Sequence, residues 1–241
     1  MATRPDFLSE VRAKAQEGIA RRLFAEAGES DRQLRELGSA IAEKCGCKAI
    51  FGPLKGLERS QGKVQADYGG DWYDLKDVVR MTIVAPNTPN LKAVQTEVRK
   101  RCVASEGLGL MKDIELLPAA SPCGYSGLNF VVRLKNGRPA EIQANTAQVM
   151  YGQMKEDLFR QSIGLNEYSQ VKGKYAIDGG LGHIFYEIYR VSAASDNGKR
   201  AAELSRNYFD YLRGFPNYQV AQEMQKQIGA FKAANMHAFQ H

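Results

Sequence analysis

Apolar side chains return at helical spacing through the first part of the chain. Leu8, Val11, Ala15, Ile19 and Leu23 sit near a 3.6-residue period between Phe7 and Ala27, which predicts an amphipathic helix ended by Gly28. After the polar break Glu29-Ser30-Asp31, a second helix is predicted through Leu34, Leu37, Ile41 and Ala42. Ser30 or Asp31 would be its N-cap and Gly46 its stop. A short third helix is expected from Leu54 to Gln65, and Asp67-Tyr68-Gly69-Gly70-Asp71 then forces a loop.

The pattern changes at Val78. Val78 to Ala85 reads Val-Val-Arg-Met-Thr-Ile-Val-Ala, rich in β-branched residues and closed by Pro86-Asn87-Thr88-Pro89, as a strand would be. A helix over Leu91 to Cys102 and short strands at Asp113 to Leu117 and Leu128 to Leu134 follow. Asn136-Gly137 suits the positive φ of a tight turn, so Leu128 to Leu134 should pair antiparallel with Pro139 to Ala144. Beyond Thr146 the pattern is helical again, near Ala147 to Ile163, Leu181 to Ala193, Gly198 to Gly214 and from Pro216 to Ala233. No repeat or low-complexity tract interrupts it. Helices, then an interrupted sheet, then helices predict an α+β fold. The expected division is a helical extension over 1–48, a sheet-bearing core over 49–195 and a second helical extension over 196–241.

Composition narrows the chemistry. With 241 residues, 44% hydrophobic and 25% charged, the chain matches one main core rather than a disordered or fibrous protein. No apolar stretch approaches the roughly eighteen residues that span a bilayer. Met1 to Glu10 also lacks the basic-then-apolar pattern of a signal peptide, so a cytoplasmic site and no membrane partner are expected. Cys45, Cys47, Cys102 and Cys123 are too unevenly placed for a disulfide framework or a thiolate zinc site. Only His183, His237 and His241 are present, too few for a histidine-rich hydrolase centre, so a metal would be oxygen-ligated, such as Mg²⁺. The net charge of +6 attracts polyanions, whether nucleotides, RNA or a membrane surface, and is equally that of a solvated basic surface.

Four segments carry candidate chemistry. Lys55, Arg59 and Lys63 fall at i, i+4 and i+8 of the third helix, a row of cations that suits successive phosphates unless Glu58 and its neighbours make it a salt-bridged surface. Tyr73 to Arg80 sets Asp74 and Asp77 just before the strand and Arg80 inside it. Either carboxylate could anchor Mg²⁺, and Asp77 lies nearer the strand. In Pro139 to Asn145, alternation places Glu141, Gln143 and Asn145 on one face, either towards solvent or lining a site where Glu141 accepts a hydroxyl proton. Gly124-Tyr125-Ser126-Gly127 suits a loop whose exposed ring stacks on a base.

Taken in order over about residues 50–190, these elements resemble the synthetase domain of the RelA/SpoT family, whose mixed sheet is of the polymerase-β-like nucleotidyltransferase type. Lys55 and Lys63 match basic ATP-clamp positions, and Asp77 resembles the magnesium ligand. Gly124-Tyr125 resembles the acceptor-stacking tyrosine, and Glu141-Ile142-Gln143 with Asn145-Thr146 resembles the Glu-Ile-Gln-x-x-Thr signature. The resemblance implies Glu141 and Asp77 as catalytic and metal-binding carboxylates. It implies Lys55, Arg59, Lys63 and Arg80 as ATP ligands, and Tyr125, Gln143 and Asn145 as acceptor ligands.

Several positions depart from that pattern. Pro53 stands where an arginine is usual, with Arg59 able to supply the charge from the next turn. Gly127 and Asn129 replace a serine and a histidine, and Asn145 replaces an arginine. Asp77-Val78-Val79-Arg80 resembles the divergent branch of small alarmone synthetases and toxins, as does Gly182-His183 to Tyr186-Glu187, which also reads as a core helix. The implied function is Mg²⁺-dependent pyrophosphate transfer from ATP to the 3′-hydroxyl of GDP or GTP. A toxin of the family would instead make adenosine alarmones or modify the 3′ end of tRNA, and a third reading is a degraded nucleotide- or RNA-binding module. The terminal helices would complete the core, join a second copy of the chain or hold a neutralising antitoxin.

Overall fold

The computed structural model describes residues 7–239, with side chains over 11–237. Five strands form one mixed sheet: β1 (Lys48–Phe51), β2 (Arg80–Ala85), β3 (Gly109–Leu116), β4 (Gly127–Arg133) and β5 (Pro139–Thr146), in the spatial order β1-β2-β5-β4-β3. β2 and β5 pair in parallel, with Arg80 opposite Glu141 and Thr82 opposite Gln143, and the other pairings are antiparallel. The hairpin of β4 and β5 is the one expected from Asn136-Gly137, and Gly137 takes a φ of +80° in its turn.

Alternation splits the sheet into two faces. Met81 and Ile83 of β2, Ala140, Ile142 and Ala144 of β5 and Leu128, Phe130 and Val132 of β4 are buried on one face. There they meet Leu34, Leu37 and Ile41 of α2 (Ala27–Lys44) and Val94 and Val98 of α4 (Thr88–Ala104). The opposite face carries Arg80, Thr82, Glu141, Gln143, Asn145 and Asn129. Its far end is covered by a second apolar cluster built from α5 (Ala147–Gln153), α6 (Glu156–Ser162), α7 (Leu165–Tyr175), α8 (Leu181–Ser192), α9 (Asp196–Arg213) and α10 (Tyr218–Ala234). One continuous set of buried side chains runs from Val149 to Phe231, so the helices on either side of residue 195 share a core. A third cluster joins Ile19 and Leu23 of α1 (Phe7–Ala25), Val64 of α3 (Leu57–Tyr68) and Trp72, Leu75 and Val78.

Several boundaries differ from the sequence expectation. The break between the first two helices falls at Glu26 rather than Gly28, and Ser30 lies inside α2 rather than capping it. The cause is tertiary. Arg138 grips both oxygens of Glu26 at 2.6 and 2.8 Å, while Ser30 Oγ donates to the Glu26 carbonyl and accepts from Asn136 of the hairpin turn. β1 and α7 are elements the pattern did not predict. β1 has four residues at the sheet edge, too few to show a period, and α7 buries Tyr168, Val171 and Tyr175 among polar neighbours. The helix expected over Ala147 to Ile163 is two helices, α5 and α6. The turn at 176–180 docks against the end of α5, with Gly180 N–H donating to the Tyr151 carbonyl and Tyr151 Oη donating to Ile177. No described helix is long and apolar enough to cross a membrane.

The closest helix packing occurs at glycines. A Cβ on Gly182 of α8 would lie 2.4 Å from the Phe209 ring and 3.0 Å from the Gly152 carbonyl, and Phe209 in turn packs edge-on against Tyr125 at 5.8 Å. Gly182→Ala therefore overpacks this contact at about 1–3 kcal/mol. That exceeds the roughly 1 kcal/mol that alanine gains over glycine in a helix. A urea midpoint lowered with unchanged slope is the expected result, and an unchanged midpoint would contradict this packing.

Candidate active site

Lys55 does not lie on α3, as the sequence spacing suggested. It sits in the extended approach, where its N–H donates to the Val78 carbonyl at 3.0 Å, and the helix begins at Leu57. The convergence survives by another route. Lys55 Nζ lies 3.1 and 2.9 Å from the two oxygens of Asp77, and Lys63 Nζ from α3 lies 3.0 Å from Oδ2. Together with Arg59 and Arg80 these groups line a cavity of about 300 Å³. Four cations and one carboxylate make the cavity strongly electropositive. Asp74 stays exposed at the end of a short 3₁₀ turn, Trp72–Asp74, which Asp71 caps through the Tyr73 N–H.

Burial disfavours the charge on Asp77, but the hydrogen bonds from Lys55 and Lys63 outweigh it and hold the carboxyl below the ordinary range. The Lys55 ammonium is pushed down by burial despite Asp77. Burial also opposes the charge on Lys63, yet Asp77 and Tyr68 bring it out above its usual value.

The strand register delivers the second carboxylate. Arg80, which lines the cavity, stands directly opposite Glu141 across the parallel pair, and Glu141 N–H donates to Val79 at 3.1 Å. Asn129 of β4 donates from Nδ2 to Glu141 Oε1 at 2.9 Å. Gln143 follows on the same face, half-buried. Asn145 is buried and already engaged, its Nδ2 donating to Tyr125 Oη at 3.1 Å and to the Ser126 carbonyl. Gly127 is what admits this amide, because a Cβ there would lie 2.7 Å from Nδ2.

Tyr125 is not the open platform expected of it. Its ring is partly buried against Phe209, and burial pushes its phenol up. The loop around it is held by α9, a contribution with no sequence signal. Ser205 Oγ donates to Cys123 at 2.8 Å, Arg206 Nη1 to Pro122 at 2.6 Å, and Arg213 Nη1 to Gly124 at 2.9 Å and to Ser126 Oγ at 3.1 Å. Gly124 has a φ of +71° and its Cα faces Arg206 so closely that a Cβ would come within 2.7 Å of that backbone. Asn129, noticed in the sequence only as a replacement, is the other residue whose role spacing did not show.

No protein-family profile matches the chain. A crystal structure of the Type VI effector Tas1 in complex with its immunity protein superposes with a TM-score of 0.72, at 31% identity over 83% of this chain and 97% of that one. The chain belongs to the RelA/SpoT-type synthetase family. The curated (p)ppApp synthetase toxin Tas1 of Pseudomonas aeruginosa (strain UCBPP-PA14) is 30% identical over 194 residues. That alignment covers 80% of this chain and 42% of the toxin, so the chain spans less than half of that family member's length. Small alarmone synthetase 2 from Bacillus subtilis aligns at 16% identity over 88% of this chain and 98% of its own, with a TM-score of 0.49. In the family frame the departures at Gly127, Asn129 and Asn145 form one connected arrangement, since Asn145 fits over Gly127 and Asn129 reaches Glu141.

The depressed Asp77 carboxyl gives a signed prediction. A folded value below the unfolded one, about 3.9, contributes stability that is present above that pH and is lost as pH falls through the folded value. Asp77→Asn should lower the denaturant midpoint at pH 7, and the wild-type advantage should shrink as pH falls below about 4. A constant gap from pH 7 to pH 3 would show that the Asp77 charge is not what the lysines hold.

Proposed function

We propose that this chain transfers a pyrophosphate group from ATP to the 3′-hydroxyl of a purine nucleotide. The observation that carries the proposal is the cationic cavity around Asp77, set by the parallel register beside the strand that bears Glu141. Lys55, Arg59, Lys63 and Arg80 would grip the triphosphate, with the arginines able to hold two oxygens each. Asp77 and Glu141 suit a hard cation such as Mg²⁺, which takes one or two carboxylates and completes its shell with phosphate oxygens and water. When bound, the ion would offset negative charge on the phosphates.

In the reaction, the acceptor O3′ attacks the β-phosphorus as its proton passes to Glu141. The O3′–Pβ bond forms, the bond from Pβ to the oxygen bridging to the α-phosphorus breaks, and AMP leaves with that oxygen and the electron pair. Gln143 lies in the next row of the same face, and the Asn145-locked loop sets the Tyr125 edge of the acceptor site. The name of the (p)ppApp-synthesising relative favours an adenine acceptor over the guanine nucleotide put first by sequence. The effector–immunity complex of that relative supports a neutralising protein partner here too. Retention of Asp77, Glu141 and the two clamp lysines, Lys55 and Lys63, favours an enzyme over a binding module.

The direct test incubates the protein with γ-³²P-ATP, Mg²⁺ and, separately, ADP, ATP, GDP, GTP and deacylated tRNA. Label on an adenine nucleotide with release of AMP is expected. Label on GDP, GTP or tRNA would reassign the acceptor, and no transfer to any of them would reject the enzyme reading. Glu141→Gln should lower kcat by about 10²–10⁴-fold, the range for losing a general base, with nucleotide binding retained. Equal rates in the two proteins would remove Glu141 from the mechanism.

A further inference from the structure

Both oxygens of Asp77 are engaged by the clamp itself. Lys55 Nζ donates to Oδ1 and Oδ2 at 3.1 and 2.9 Å, and Lys63 Nζ donates to Oδ2 at 3.0 Å. The two ammoniums come from different elements, Lys55 from the extended approach tied to the Val78 carbonyl and Lys63 from α3, so the buried carboxylate is gripped from two sides. A hard cation such as Mg²⁺ bonds a carboxylate oxygen at about 2.0–2.1 Å, so on either oxygen it would lie within roughly 5 Å of an ammonium bonded to the same atom. Lysine and a divalent cation therefore compete for Asp77. In a cavity that Arg59 and Arg80 also line, the cation meets like charge from four side chains.

Phosphate reverses the competition. Arg59 and Arg80 form no ion pair among the described residues, which leaves their guanidinium groups for the first hold on an incoming polyanion. A triphosphate carries more negative charge than the clamp has in excess, so its arrival turns the cavity from repelling a cation to attracting one. Lysine carries a compact ammonium on a flexible four-carbon stem, which can pass from carboxylate to phosphate without backbone movement. Building on the function proposed above, we infer that Lys55 and Lys63 guard Asp77: they exclude a divalent cation from it until a triphosphate draws them away, so the nucleotide opens the site to its own metal. Their bonds to Asp77 are exchanged for bonds to phosphate, and the freed carboxylate takes the cation. Nucleotide and metal then raise each other's affinity by one shared factor.

The experiment titrates the full chain with Mn²⁺, counting free ion by its EPR signal. Without nucleotide, the wild type should bind Mn²⁺ within about twofold of Asp77→Asn, whereas Lys55→Met should bind one ion at least about tenfold more tightly, within the usual range of coupling between two ligands. That gain should vanish in the double variant Lys55→Met, Asp77→Asn. Lys55→Gln, which keeps a donor towards Asp77 but no charge, takes the place of Lys55→Met if the methionine variant does not fold, and should show the same gain. With α,β-methylene-ATP, whose Pα–Pβ link this reaction cannot break, water-proton relaxation should show the wild type holding Mn²⁺ at least about tenfold more tightly than Asp77→Asn. Tight Mn²⁺ binding to the nucleotide-free wild type that Asp77→Asn abolishes would overturn the inference, as would a folded Lys55 variant that gains nothing. The transfer assay keeps the two readings apart. Label transferred by a wild type that loads Mn²⁺ on Asp77 without nucleotide would refute the guard and keep the enzyme, and a gain in Lys55→Met beside no transfer to any acceptor would keep the guard and reject the enzyme.

Discussion

The site depends on one parallel strand pairing in a sheet whose other pairings are antiparallel. β2 and β5 are separated in sequence by α4, β3 and β4, and their register alone sets Arg80 across from Glu141. Side chains alternate with a period of two, so a slip of one residue would turn Glu141 and Gln143 into the apolar layer under α2 and α4. It would also bring Ile142 and Ala144 onto the polar face. Burying an unpaired carboxylate costs several kcal/mol, which makes the register stiff. The same physics that specifies the core therefore aligns the clamp with Glu141.

Within that frame the clamp is a cluster of like charges held together by a single carboxylate. Lys55, Lys63, Arg59 and Arg80 repel one another, and Asp77 is the counter-charge that allows Lys55 to sit almost buried and Lys63 largely buried beside it. Such an arrangement is an incomplete ionic site whose remaining positive charge is best matched by a polyanion. The apolar cluster of α1, α3 and the Trp72–Val78 segment fixes Asp77 from behind, so the N-terminal helix serves the site without contributing a ligand to the cavity.

Much of this was legible in the sequence because it follows from local rules. The β2 strand, the Asn136-Gly137 hairpin and the shared face of Glu141, Gln143 and Asn145 come from β-branched content, turn chemistry and alternation. The convergence of Lys55 and Lys63 was anticipated through a helix that does not include Lys55, whose approach is instead held in place by the Val78 carbonyl. What could not be read was tertiary. The break at Glu26 follows from Arg138, more than a hundred residues away, and the division of α5 from α6 follows from a turn that docks later in the chain. Asn129 and Asn145 looked like losses from a family pattern, whereas across the strands they satisfy Glu141 and the Tyr125 loop. The hold of α9 on that loop joins residues about eighty apart, and nothing in its helical period marks Ser205 or Arg213 as different from any other face position.

That distant hold has a consequence for synthesis on the ribosome. The sheet and its cationic cavity are complete in sequence by Thr146, but the loop at 122–126 has its anchors at Ser205, Arg206 and Arg213. A nascent chain that has exposed the cavity still lacks the helix that anchors the Tyr125 loop, and gains it only when α9 emerges and docks. The loop therefore takes its final shape late in translation, after the whole of the sheet has left the ribosome.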